Sequence, residues 1–292
     1  MENRGTYLAL LFCLIAMPAE ARFRNPFSKP PASASTAQNS GELPFRLVHS
    51  SLVVATGSLN GVPAHNLLID TGTNPTVLDV AVARKLGVQG KTSDLRTLGG
   101  GIPGVTGIVS SIGLGPILAK SVPVFVADLS FMKQDLGERI DAVIGLDVLK
   151  AGTFTIDYER RRIVFGPAPQ YPNWVPFAGG PPMITIEIQI DGDPKRLLVD
   201  TGAEGLFLFE GEKSETPAAT TRNGSHFSLS RNREPVEIPD VRLGSLRRSR
   251  QPAYIVRTQD PSLREFDGLL GLSALGIKQV VFDFERKQLG WR

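Results

Sequence analysis

The stretch "MITIEIQIDGDPKRLLVD" alternates Ile184, Ile186, Ile188 and Ile190 with Thr185, Glu187 and Gln189. A period of two belongs to a strand with one buried face. The chain then turns at Asp191-Gly192-Asp193-Pro194 and returns on Leu197, Leu198 and Val199, which predicts a β-hairpin ending at Asp200. An earlier stretch, "FRLVHSSLVVATGSLNGVPAHNLLID", follows the same plan less cleanly, turning at Asn60-Gly61 and ending at Asp70. A short helix is expected in "LDVAVARKLG", where Asp79 can cap and Gly87 can stop it,.

These hairpins belong to a longer repeat. "LLIDTGTNPTVLD" at 67–79 matches "LLVDTGAEGLFLF" at 197–209, "DAVIGLDVL" at 141–149 matches "DGLLGLSAL" at 267–275, and "FTIDYERRRIVFG" at 154–166 matches "VVFDFERKQLGWR" at 280–292. The blocks keep their order, with offsets of 130, 126 and 126 residues. A duplicated unit accounts for that. The third block reads as another hairpin, with a polar Asp-x-Glu-Arg turn between two apolar strands, and a short helix is expected after the Gly-Leu of the second block. The expected fold is mainly β: two similar barrel-like lobes related by a pseudo-twofold, over 42–168 and 182–292, with few short helices. A Pro/Gly-rich linker over 169–181 joins them.

The N-terminus changes the picture of where the protein works. "MENRGTYLALLFCLIAMPAEARF" has a positive start at Arg4, ten apolar-region residues from Leu8 to Met17, and the small-x-small site Ala19-Glu20-Ala21. This is the layout of a signal peptide over 1–21, and implies export to a periplasmic or extracellular space. The alternative is an uncleaved anchor, although ten apolar residues fall short of the roughly 20 that span a bilayer. Residues 22–41, rich in Pro, Ser and Ala, read as a flexible linker. The only cysteine, Cys13, lies within the expected signal, so the mature chain would hold no disulfide.

Composition fits many short strands: 30 Gly, 22 Pro and 7% aromatic residues in 292,. The formal net charge is +3, becoming +4 once residues 1–21 and their Arg4, Glu2 and Glu20 are removed, too mild for strong steering. The basic cluster "RLGSLRRSRQ" at 242–251 has no zinc-finger spacing or recognition helix beside it, so no nucleic-acid partner is expected. No membrane association is expected after signal cleavage. His49, His65 and His226 stand apart from one another without metal-ligand spacing, and no metal or other cofactor is implied. Nucleophile-elbow, Walker and dinucleotide signatures are likewise missing.

The candidate chemistry lies in the repeated Asp-Thr-Gly. A strand of buried residues aims the carboxylate, and glycine lets another backbone or ligand approach closely. Thr71 and Thr201 can each turn a hydroxyl toward the other lobe's backbone. A pseudo-twofold axis places Asp70 opposite Asp200. Two carboxyls that close share one proton. The pair can then activate water as a base and polarise a carbonyl as an acid.

With Asp70-Thr71-Gly72 and Asp200-Thr201-Gly202 each followed by apolar-apolar-Gly, at Val143-Ile144-Gly145 and Leu269-Leu270-Gly271, the sequence resembles the aspartic proteases of the pepsin and retropepsin type. It is similar in plan to bacterial single-chain proteins with two fused retropepsin-like halves. The resemblance implies an aspartic-type endopeptidase acting on peptide or protein substrates. In it Asp70 and Asp200 are the catalytic dyad, Thr71 and Thr201 lock the turns, and Gly72 and Gly202 help contact the peptide backbone. It also implies a flap, for which "LGGGIPGVTG" at 98–107 is the candidate, with Gly99, Gly100, Gly101 and Ile102. Because both lobes lie in one chain, a monomer would be active.

The second lobe's "TTRNGSHFSLSRN" at 220–232 is polar and poorly matched to a flap. Two positions depart from the family pattern: Thr73 stands where Ser or Ala is usual, and Ser273 replaces the counterpart of Asp147. The alternative function is a catalytically silent peptide-binding module of the same fold. A glycosidase would need carboxyls separated by roughly 5–9.5 Å across a sugar, whereas symmetric turns bring them closer.

Overall fold

The computed structural model describes residues 14–15, 40–49, 51–97, 100–178, 183–211, 233–258 and 265–292. The expected signal peptide lies outside them apart from Leu14–Ile15, which pairs in parallel with Thr73–Asn74. Residues 22–39 of the expected tether also lie outside, as does the stretch 220–232.

Both lobes are closed rings of six strands built in the same order. The first runs through Leu52–Leu59, Val62–Ile69, Ala142–Ile144, Val77–Asp79, Ile117–Ala127 and Gly100–Leu114, and closes where Ser58 pairs with Gly113. The second runs through Thr185–Ile190, Asp193–Val199, Gly268–Leu270, Leu206–Gly211, Leu246–Thr258 and Arg233–Leu243, and closes where Gln189 pairs with Arg242. The alternating Ile184 to Ile190 run buries its four isoleucines, while Glu187 and Gln189 face solvent. Both opening hairpins turn as their sequences require. Asn60 and Gly61 (φ 50° and 77°) and Asp191 and Gly192 (φ 51° and 91°) lie in the left-handed region, where these residue types are accepted most readily.

The third block joins the lobes. Phe154–Asp157 and Arg162–Phe165 form one hairpin, and Gln279–Asp283 and Gln288–Trp291 the other. The copies also pair with each other: Phe154 with Phe282, Ile156 with Val280, and the equivalent residues Thr155 and Val281 directly opposite. That register places the local twofold at the Thr155–Val281 pair. Asp157 Oδ1 accepts from Arg160 N–H and Asp283 Oδ1 from Arg286 N–H, both at 2.9 Å. Fully buried Phe154 and Phe282 stack across the joint with ring centroids 4.8 Å apart, a contribution to the lobe contact beyond area burial.

Gly41–Val48 connects this sheet to the first barrel, pairing with Arg162–Phe165 on one side and Leu52–Leu59 on the other. Within the expected linker, Asn173–Pro176 forms an edge strand against Gln288–Trp291. The helix Val80–Lys85 starts at Asp79, whose carboxylate accepts from Ala81 and Val82 N–H, and is followed by Gly87 at φ 67°. Short helical turns follow the second block in both copies, at Leu146–Leu149 and Leu272–Leu275.

Candidate active site

Asp70 and Asp200 each sit one residue past a strand whose last three side chains are at most 1% exposed, Leu67 to Ile69 and Leu197 to Val199. The second-block strand lies parallel beside each: Ala142–Ile144 along Leu67–Ile69, and Gly268–Leu270 along Leu197–Val199. It also grips the aspartate itself, since Asp70 N–H donates to Ile144 O and Asp200 N–H to Leu270 O, both at 3.0 Å. Asp141 and Asp267 tie the other end by accepting from Asn66 and Arg196 N–H. The backbone under each carboxyl is therefore fixed on two sides before any contact between the lobes.

The threonines then join the turns. Thr71 Oγ1 donates to Val199 O and Thr201 Oγ1 to Ile69 O, both at 2.8 Å. In return Thr71 N–H donates to Thr201 Oγ1 at 3.0 Å and Thr201 N–H to Thr71 Oγ1 at 3.1 Å. Four bonds obey one twofold, and all the groups are buried. Gly72 and Gly202 complete the contact: a Cβ on Gly202 would lie 2.7 Å from Asp70 Cγ, and one on Gly72 2.5 Å from Asp200 Oδ2. Any side chain there would push the carboxyls apart.

Both carboxyls are fully buried. Asp70 Oδ1 accepts from Gly72 N–H and Oδ2 from the Thr73 hydroxyl, each at 2.7 Å. Asp200 Oδ1 accepts from Gly202 N–H at 2.7 Å, but among the described residues Asp200 Oδ2 has no protein donor. A buried acceptor with no donor is costly. A proton on the facing Asp70 carboxyl, which lies close enough to hydrogen-bond Asp200, supplies one.

Burial is the main force raising both acids. For Asp70, repulsion from Asp200 adds to it, and the carboxyl is held well above the ordinary carboxylate range. Asp200 is pushed up to about 6, with hydrogen bonds from Asp70 and Gly202 opposing the rise. The proton belongs to the pair.

Around this centre lie groups to which the sequence assigned no role. Asp147 reaches back to the loop beyond the first turn, accepting from Thr76 N–H at 3.1 Å and Thr76 Oγ1 at 2.8 Å. Thr76 Oγ1 in turn accepts from Gly145 N–H at 3.0 Å. Glu204 crosses to the first lobe, where Ser51 Oγ donates to it at 2.8 Å and His49 Nδ1 lies at 3.3 Å. His65 Nδ1 lies 3.3 Å from Asp141 Oδ2, and His226 is outside the described residues.

Of the flap candidates, Leu98 and Gly99 lie outside the described residues. Gly100, Gly101 and Ile102 begin the strand Gly100–Leu114, which pairs antiparallel with Gly90–Thr97. Ile102 is buried with Leu95 against Leu52, Leu68, Val77 and Phe125. The basic cluster is partly neutralised in place: Arg242 and Arg247 both bond Asp240, and Arg250 bonds Glu237.

Two similar β lobes meeting at paired Asp-Thr-Gly turns, each backed by an apolar-apolar-Gly strand, define the acid-protease class of fold. The chain belongs to the aspartyl protease family, whose model matches residues 55–148 and again 186–274. The two matches fall on the two copies of the repeat, consistent with two retropepsin-like halves. No curated protein matches the chain.

Proposed function

We propose that the protein is an exported aspartic endopeptidase that hydrolyses peptide bonds with Asp70 and Asp200 as its catalytic pair. The observation that carries this reading is the pair itself: two fully buried carboxyls, held face to face by the Thr71–Thr201 bonds, with one oxygen that has, among the described residues, no donor except the other acid. With one proton between them, the ionised carboxyl removes a proton from a water as it attacks the peptide carbonyl. The protonated carboxyl donates to the carbonyl oxygen, giving a tetrahedral diol. Collapse of the diol breaks the C–N bond as the amine takes up a proton, and the pair returns to its singly protonated state.

An extended peptide lying between the lobes suits such a centre. The hairpin Gly90–Thr97/Gly100–Leu114 is the flap in this reading, and one chain supplies both carboxyls, so a monomer suffices. Export rests on the signal-like pattern of residues 1–21.

The test is cleavage of a peptide library between pH 3 and 8 by the wild type, Asp70→Asn and Asp200→Asn. Cleavage by the wild type that disappears in both variants supports the proposal. Equal cleavage in all three sinks it. Peptide binding without turnover, indifferent to Asp70→Asn, would instead identify the silent binding module.

A further inference from the structure

We propose that Glu204 is a positioning residue: a one-sided latch that ties the segment after the second Asp-Thr-Gly turn to the first lobe and keeps Asp200 aligned with Asp70. The proposal rests on the protease reading above.

Glu204 lies four residues past Asp200 and two past Gly202, whose backbone abuts the Asp70 carboxyl. Its side chain is 8% exposed, so its carboxylate has lost most of its water and needs partners. The first lobe supplies one for each oxygen. Ser51 Oγ donates to Oε1 at 2.8 Å, and His49 Nδ1 lies 3.3 Å from Oε2, where its N–H tautomer donates,. Ser51 is 3% exposed, whereas the His49 side chain is 34% exposed, on a backbone at φ 51°.

His49 and Ser51 lie between the strands Gly41–Val48 and Leu52–Leu59. Gly41–Pro44 pairs with the sheet that joins the lobes, and Phe45–Val48 pairs with the first barrel. A carboxylate anchored there is held beside a strand that belongs to both the first barrel and the joining sheet. The threonine bonds fix the bases of the turns, and Glu204 fixes the strand leaving the second one. The equivalent residue of the first lobe is Asn74, which carries no charge to offer in return.

Because both Glu204 oxygens are held by protein groups, losing them should leave substrate affinity nearly unchanged and disturb the reacting geometry. Small misplacements there can cost up to about a hundredfold in rate. The experiment measures kcat and KM separately for Glu204→Gln, Ser51→Ala, His49→Gln and the two double variants with Glu204→Gln. The expected result for Glu204→Gln is a kcat lower by about tenfold to a hundredfold, with KM within about twofold of wild type. Each double variant should be little worse than Glu204→Gln alone, because partners in one network are not additive.

Additive losses overturn the latch. So does a raised KM with unchanged kcat, which would mean that Glu204 meets the substrate. If the wild type cleaves no peptide, the protease reading fails, and thermal unfolding of the same variants decides the latch separately. A coupling of about 2 °C or more in Tm between Glu204 and its first-lobe partners retains it, and additive Tm changes overturn it.

Discussion

The two Asp-Thr-Gly turns are nearly superimposable in what they bond to, yet their surroundings diverge one residue further out. Both aspartates take an N–H from the glycine two residues on at 2.7 Å and give their own N–H to the second-block strand at 3.0 Å. Past the glycine, the first lobe has Thr73, whose hydroxyl donates to Asp70, and the second has Ala203, which has no hydroxyl to donate. Next, the first lobe braces its loop through Asp147 and Thr76. The second places apolar Leu206 and Ser273 there and closes with Gly271 N–H on Gly205 O at 2.8 Å. Duplication thus kept the symmetry in the threonine bonds that cross the axis, and relaxed it where each turn meets only its own lobe and in the one-sided contact of Glu204 with Ser51 and His49. The reciprocal threonine bonds need both partners to match; the other bonds need only be satisfied.

The largest effect should come from breaking the pair. Asp70→Asn and Asp200→Asn are each expected to lower peptide cleavage by about a thousandfold or more. They should also raise stability in neutral solution. A carboxyl whose folded value is about 6 stabilises the fold fully below the unfolded value of about 3.9, and that stability is lost as pH rises toward 6. At pH 7 the buried charge is therefore a net liability to the fold. Asp200→Asn should accordingly melt several degrees higher than wild type at pH 7 and show little gain near pH 4, as calorimetry across that range would show.

Next come the bonds across the axis. Thr71→Val and Thr201→Val each remove a buried donor and acceptor and strand a carbonyl and an N–H of the other turn, at about 3 kcal/mol. Their equality is the sharper expectation. Denaturation midpoints that differ by more than about 1 kcal/mol would show that the twofold is only geometric and not energetic.

The hairpins, their turns at Asn60-Gly61 and Asp191-Gly192, and the meeting of Asp70 with Asp200 were legible because local patterning and a duplicated block each encode them. The sheet between lobes was half legible. The Asp-x-Glu-Arg hairpins show in sequence, but their pairing about Thr155 and Val281 requires the axis itself. Asn173–Pro176 was hidden by its prolines, which an edge strand tolerates. Glu204 and His49 carry no motif. They stand 155 residues apart, and only the fold brings a residue read as an isolated histidine to a carboxylate beside the second turn. Asp147 was visible only as a mismatch with Ser273, and its target Thr76 was not visible at all.

That mismatch gives the third test. Asp147 is half-buried, and the desolvation of its carboxyl raises its acid above the ordinary range against the pull of the Thr76 bonds. Asp147→Ala would leave Thr76 N–H without its acceptor in a site with no exposure, at about 2 kcal/mol. Ser273→Ala removes a half-buried hydroxyl outside such a network and should stay within about 0.5 kcal/mol. Comparable losses in urea melts would mean that the second lobe relies on Ser273 as the first does on Asp147.

The smallest effect concerns Thr73 and Ala203, and it acts on pH dependence more than on rate. The pair works with one proton, so activity should rise as the first proton leaves, near pH 6 from the value at Asp200, and fall at higher pH when Asp70 ionises. The Thr73 hydroxyl favours the charged form of Asp70 and lowers its value,. Thr73→Ala removes that help, so the alkaline limb of kcat/KM should move up, by up to about one pH unit, with the maximum little changed. Ala203→Ser offers Asp200 the bond it lacks and should move the acid limb down. If Thr73→Ala moved the alkaline limb down instead, the hydroxyl would be accepting from a protonated Asp70 rather than donating to its carboxylate, and the difference between the two lobes would have the opposite electrostatic sense.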